Sequence, residues 1–66
     1  MQVIVNGTPR EVPAGTTVAA LVSAVTTAAA GVAAALNDEV VPRALWTETA
    51  VREADRLEVL TAVQGG

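Results

Sequence analysis

One amphipathic stripe restricts the possible folds of this chain more than any other feature. Val18, Leu21, Val22 and Val25 stand at i, i+3, i+4 and i+7, the spacing that gathers apolar side chains on one side of an α-helix. Ser23 and Thr26 fall off that side. Pro13-Ala14-Gly15 breaks the chain in front of it, and Thr16 or Thr17 is placed to cap the first turn. The helix is expected to end between Thr26 and Ala30, with Gly31 as a C-terminal stop. Val32 to Leu36 is alanine-rich and has the propensity to prolong the helix. Gly31 before it and Asn37-Asp38 after it mark it instead as a short buried strand. A helix with a single apolar side covers one face of one sheet, so the remaining elements must supply that sheet.

The strands are short. Met1 to Val5 is rich in β-branched residues and runs into Asn6-Gly7, a pair that tolerates the positive φ angles of a two-residue hairpin. Arg10-Glu11-Val12 is the expected return strand, with Pro9 near its start. Within the first strand Val3 and Val5 share a face and Ile4 takes the other. Glu39-Val40-Val41 reads as a strand stopped by Pro42, and Arg43 to Ala54 as a turn or short helix with a connecting loop. From Arg56 to Val63, Leu57, Val59, Thr61 and Val63 alternate with Arg56, Glu58, Leu60 and Ala62, the period of a half-buried strand. The order strand, strand, helix, strand, strand, strand gives an α+β chain. The aliphatic first and last strands lie centrally in a mixed sheet of about five strands, and one main helix packs on one face. That is a β-grasp arrangement, with residues 1–63 as the domain and 64–66 as a tail.

Composition removes several function classes. With 66 residues the chain buries only about 60% of its unfolded surface, and with no Cys and no His it has neither disulfide nor structural zinc to reinforce it. The same absences, with no Tyr, remove thiol, Ser-His-Asp and Cys-His chemistry, so the chain is not expected to be an enzyme or to bind a cofactor or metal. Four Arg, no Lys and a net charge of −3 lack the basic footprint of a nucleic-acid binder and suit a basic protein partner. Val12 to Asn37 is uncharged, but Pro13, Gly15 and Gly31 interrupt it and no Lys/Arg cluster flanks it. The N-terminus lacks the basic region of a signal peptide. A cytoplasmic protein without membrane contact is expected.

Chemistry concentrates at the last two residues, Gly65 and Gly66. Without side chains they form a tail slim enough to thread a narrow active site in another protein. The terminal carboxylate, ionised at neutral pH, can attack an activated phosphate. From Val63 to Gly66 the extended tail reaches roughly 13–14 Å. A frayed terminus is the alternative reading of the same residues.

Several segments together resemble the ThiS family of ubiquitin-like sulfur carriers. These are Met1 to Gly7, Gly15 to Val22, Ala35 to Trp46 and Asp55 to Leu60, followed by Gly65-Gly66. Terminal Gly-Gly is shared by all such carriers. The Asn37-x-Glu39-x-Val41-Pro42-Arg43-x-x-Trp46 signature is more specific to this branch. One departure is Ala54-Asp55 where the family usually has Gly-Asp, and a turn requiring positive φ there strains Ala54. The resemblance implies that an E1-like adenylating enzyme of the ThiF type uses ATP and magnesium to adenylate Gly66. Sulfur from a donor system with a cysteine desulfurase then yields a thiocarboxylate. Thiazole synthase of the ThiG type takes that sulfur for the thiazole ring of thiamin. Related carriers feed molybdopterin, tRNA thiolation or cysteine synthesis, and a non-carrier interaction module remains an alternative from another class.

Ile4, Leu60 and Ala62 are expected on the sheet face away from the helix, as a docking patch beside the tail. Scattered surface aliphatics are the competing explanation. Trp46 is expected to pack and Arg43 to form a surface ion pair. Glu39, Glu48, Glu53, Asp55 and Glu58 are read as a solvated acidic face.

Overall fold

The structure, a computed structural model, describes residues 1–27 and 30–61. Its elements are β1 (Gln2–Val5), β2 (Thr8–Glu11), α1 (Val18–Val25), β3 (Val32–Leu36), β4 (Glu39–Val41), one 3-10 turn (Arg43–Leu45) and β5 (Arg56–Thr61). The sheet order is β2-β1-β5-β3-β4, with β1 and β5 parallel and the other neighbours antiparallel. This is the expected β-grasp sheet, with β5 at its centre and α1 across one face.

Both hairpins turn as their sequences require. Asn6 and Gly7 have φ of 50° and 81°, and Asn37 and Asp38 have 51° and 72°, the paired positive angles of type I′ turns. Two residues link Val5 to Thr8 in the first hairpin and Leu36 to Glu39 in the second. Pro9 sits on β2, an outer strand, where a missing N–H is tolerated.

The helix stripe meets the sheet as its spacing predicts: Val18, Leu21 and Val22 are buried and Val25 packs partly against them. Their partners are Val3 and Val5 from β1, Ala34 from β3, and Leu57 and Val59 from β5. The first-turn amides are all satisfied. Val18 N–H donates to the Thr49 carbonyl (2.9 Å), Ala19 N–H to Trp46 (3.1 Å) and Ala20 N–H to Thr17 Oγ1 (3.2 Å). Thr17 is therefore the cap, and the segment around residues 46–51, without periodicity in sequence, closes the helix N-terminus. That segment also adds two residues to the core, Trp46 and Val51, and is fastened by Val51 N–H donating to Thr16 (2.8 Å).

Gly31 does not end the helix. The last helical residue is Val25, and Thr26 is already extended at φ −151°. Val25, Thr26 and Thr27 are three consecutive β-branched residues, whose restricted χ1 disfavours another helical turn. Gly31 (φ 72°) lies instead immediately before β3. Val32–Leu36 is a strand, as its flanking turn residues predict.

The Arg52–Asp55 turn needs the backbone that Ala54 is least suited to supply. Ala54 has φ 69°, its N–H donates to the Gln2 carbonyl (2.7 Å), and Asp55 N–H closes on the Arg52 carbonyl (3.0 Å).

Candidate functional site

Residues 62–66 lie outside the described residues, and with them Ala62, Gly65, Gly66 and the expected domain boundary after residue 63. What the structure places is the strand that leads to them. β5 carries Leu57 and Val59 on the helix side, 1% and 7% exposed, with Arg56, Glu58 and Leu60 on the other. The strand is anchored in the core by alternate side chains and presents the intervening ones outward.

Ile4 and Leu60 do share the outward face. Ile4 pairs with Arg56 across β1–β5, and Leu60 stands four residues further along β5, about 13 Å at the rise of a strand. Arg56 and Glu58 separate them. Ile4 is half-buried, whereas Leu60 is 66% exposed. Leu60's strand neighbour is Ala33, and the row beside it runs from Glu58 through Ala35 to Val40. Val40 is 74% exposed, so Ala33, Ala35, Val40 and Leu60 form an outward apolar strip across β4, β3 and β5. The sequence alone did not single out Val40. Glu39-Val40-Val41 shows no in–out alternation of polarity, and only the register with Ala35 decides which valine faces outward.

Charges border this strip rather than filling it. Glu58 lies on the same face, and Arg56 is 3.4 Å from Asp38 in an exposed ion pair. At the opposite edge of the sheet, the Met1 ammonium is 3.3 Å from Glu11.

Two asparagines fix β5 from either side. At its start, Asn37 N–H donates to the Arg56 carbonyl (2.8 Å). Its side-chain Oδ1 accepts from Arg56 N–H (3.0 Å) and its Nδ2 donates to Asp55 Oδ1 (3.0 Å). Further along, Asn6 N–H donates to the Leu57 carbonyl (2.9 Å). Asn6 Oδ1 then accepts from Val59 N–H (2.8 Å), and Nδ2 donates to the Val59 carbonyl (3.3 Å).

On the helix side, a cavity of about 510 Å³ lies between α1 and the 3-10 turn, lined in part by Val22, Ser23, Thr26, Arg43 and Trp46. Trp46 is 7% exposed and donates Nε1–H to the Val41 carbonyl (2.8 Å), the packing role expected for it. The Arg43 guanidinium stands over its ring, 5.5 Å from the centroid, within reach of a cation–π contact. Among the described residues the lining supplies hydroxyls and a guanidinium but no carboxylate or imidazole to act as a base. Among the described residues no helix is long and apolar enough to cross a membrane.

Residues 3–66 match the ThiS family. Over 66 residues the chain is 32% identical to the sulfur carrier protein ThiS of Escherichia coli, covering 100% of each. It is also 33% identical to a thiazole synthase of Paramagnetospirillum magneticum, spanning 20% of that protein's length. The crystal structure of thiamine biosynthesis protein ThiS from Geobacter metallireducens superposes with a TM-score of 0.79 at 36% identity, over 100% of both chains. A solution structure of a thiamine biosynthesis protein from the same organism gives a TM-score of 0.78 at 36% identity, over 100% of this chain and 88% of that one.

Proposed function

The chain belongs to the ThiS family, and from that membership we propose that it carries sulfur for thiamin biosynthesis on the carboxylate of Gly66. The observation that carries this reading is the alignment with the Escherichia coli sulfur carrier over all 66 residues, Gly65-Gly66 included. The chemistry agrees with the composition, because a chain without Cys must hold a transferable sulfur elsewhere than on a thiol.

In this reading the chain is a protein cosubstrate, not a catalyst. An E1-like adenylating enzyme holds ATP and magnesium. The Gly66 carboxylate attacks the α-phosphate, and pyrophosphate leaves. The terminal sulfur of a persulfide, supplied by a cysteine desulfurase system, displaces AMP to give an acyl disulfide. A second thiol of the donor system takes the proximal sulfur into a disulfide and releases the thiocarboxylate. Thiazole synthase is the acceptor, a role supported by the stretch similar to this whole chain within the Paramagnetospirillum magneticum thiazole synthase. Docking falls to the outward strip containing Leu60 and Val40, with Ile4 at the far end of the same face. Gly65 and Gly66 give the tail the slimness to enter each partner, and residues 1–63 stay outside as the folded body.

Intact mass spectrometry tests the reading. The untagged chain is incubated with the adenylating enzyme, ATP, magnesium, a persulfide donor and a thiol reductant. The expected product is heavier by the replacement of one oxygen by sulfur, and the chain lacking Gly66 gains nothing. A chain extended beyond Gly66 that loads normally, with its extension still attached, refutes the mechanism. Growth of a deletion strain restored by thiazole separates the thiamin pathway from other sulfur acceptors.

A further inference from the structure

We propose that Asn6 is a positioning residue for tail delivery, its carboxamide holding β5 in line beyond the point where β1 turns away. The inference rests on the carrier reading above and concerns how the tail is aimed. β1 pairs with β5 only at Ile4–Arg56 and Val5–Leu57, after which the chain reverses at Asn6-Gly7. Residues on one strand alternate in the side to which their peptide groups point. Asp55 accepts from the Ile4 amide and Leu57 from the Asn6 amide, each at 2.9 Å, and Val59 is the next residue facing that side. The β1 backbone has already left at that point. The Asn6 side chain takes its place, accepting from Val59 N–H and donating to the Val59 carbonyl. A carboxamide is the one side-chain group with a peptide's donor and acceptor, so it extends the ladder by one residue without extending the strand.

The position of this contact gives it its consequence. Val59 is two residues before Thr61, the last described residue of β5, and so lies at the end of the strand that precedes residues 62–66 in the sequence. Among the described residues from Leu60 onward, only β3 pairs with β5, through Ala33–Leu60 and Val32–Thr61. Removing the Asn6 contact leaves β5 held on one side from Val59 onward. A partner enzyme must then order that end on binding, which lowers affinity without changing the bound geometry. The expected kinetic signature is a raised KM for the carrier with kcat maintained. Asn37 provides an internal control. It makes the corresponding contacts at the start of the same strand, so its loss weakens the fold but leaves the exit of β5 in place.

The test compares Asn6→Gly, Asn6→Asp and Asn37→Gly with the parent chain. Glycine accepts the positive φ at both sites, so the turns are kept; Asn6→Asp keeps the acceptor for Val59 N–H and loses the donor. All are assayed at a temperature where Trp46 fluorescence shows each fully folded. Two readouts are taken: Val59 amide hydrogen exchange in the free chain, and steady-state adenylation by the E1-like enzyme. Asn6→Gly is expected to accelerate Val59 exchange and raise KM roughly five- to tenfold, the range of one or two hydrogen bonds, with kcat within about twofold. Asn6→Asp falls between it and the parent, and Asn37→Gly loads like the parent. Faster Val59 exchange in Asn6→Gly with unchanged KM overturns the inference alone. An Asn37→Gly chain that loads as poorly as Asn6→Gly also overturns it, because general loosening of β5 then accounts for both. A parent chain that is never adenylated removes the carrier reading and this inference with it.

Discussion

Replacing Ala54 with glycine should stabilise this protein, although it removes a methyl group and adds no contact. Ala54 has φ 69°, where an L-residue's Cβ crowds the following carbonyl oxygen at about 1–2 kcal/mol. Glycine lacks that crowding but has more freedom to lose on folding, a term of about 0.4–1 kcal/mol in the other direction. The balance favours Ala54→Gly by about 0.5–1 kcal/mol. Both backbone contacts of the turn, Ala54 N–H to Gln2 and Asp55 N–H to Arg52, are available to glycine. In a domain of this size the gain corresponds to a Tm rise of about 3–6 °C, or a urea midpoint shift of roughly 0.5–1 M. The single Trp, buried at position 46, reports unfolding without a label. Gly15→Ala is the reciprocal experiment. Gly15 has φ 91°, and a Cβ built there meets nothing within 4 Å, so any loss comes from backbone strain alone. It is expected to cost about 1 kcal/mol net. A lower midpoint for Ala54→Gly at unchanged m-value, or no effect from Gly15→Ala, refutes the strain argument.

Leu57→Ala removes a side chain only 1% exposed at the centre of the sheet and should cost about 2–5 kcal/mol. That is a large share of the roughly 3–10 kcal/mol expected for the whole domain, so urea titration should show a protein substantially unfolded at 37 °C. Leu60→Asp, at a position 66% exposed, should alter stability by no more than about 0.5 kcal/mol while lowering kcat/KM for adenylation at least about tenfold; normal adenylation of the folded variant rejects the docking strip. Val40→Asp tests the other end of the strip in the same assay and should weaken adenylation in the same direction. Because the chain carries a net charge of −3, its association rate with a basic partner surface should fall as salt is raised in stopped-flow mixing, and a rate independent of salt excludes electrostatic steering.

The features legible in sequence are those set by neighbours a few residues apart. The stripe through Val18, Leu21, Val22 and Val25 gave the helix and its buried side. Asn6-Gly7 and Asn37-Asp38 marked the two turns, and the alternation around Leu57 and Val59 gave the central strand. Even the strain at Ala54 was readable, since a family that usually has glycine there points to a positive φ. Gly31 is a stronger punctuation mark than Thr26-Thr27, yet the β-branched pair comes first and ends the helix at the near edge of the expected range, with Thr26 as its C-cap. Val51 and the closure of the helix N-terminus by carbonyls from residues 46 and 49 were not readable, because those partners lie about thirty residues away along the chain and have no periodicity of their own. Val40 was hidden for a related reason: two adjacent valines in a three-residue strand give no sign of which faces out until the pairing with β3 is known.

Fold and delivery meet in β5, and the two demands are divided between its faces and edges. Leu57 and Val59 tie the strand into the core, so substitutions there report on folding before they report on function. Leu60 lies on the exposed face of the same strand, and the Asn6 contact lies on its edge. Neither is a core side chain, and both adjoin the segment that leads to the tail. A carrier of 66 residues has little stability to spare, and a strand left unaligned at its end leaves the ordering cost to each binding event. Anchoring β5 from the core side and aligning its edge through Asn6 reduces that cost without adding residues to the tail, which must stay thin. The Asn6 and Leu60 variants should therefore separate in kinetics. Loss of alignment raises KM alone, whereas loss of the docking strip also impairs steps in which the docked body holds the tail in place, and so lowers kcat as well.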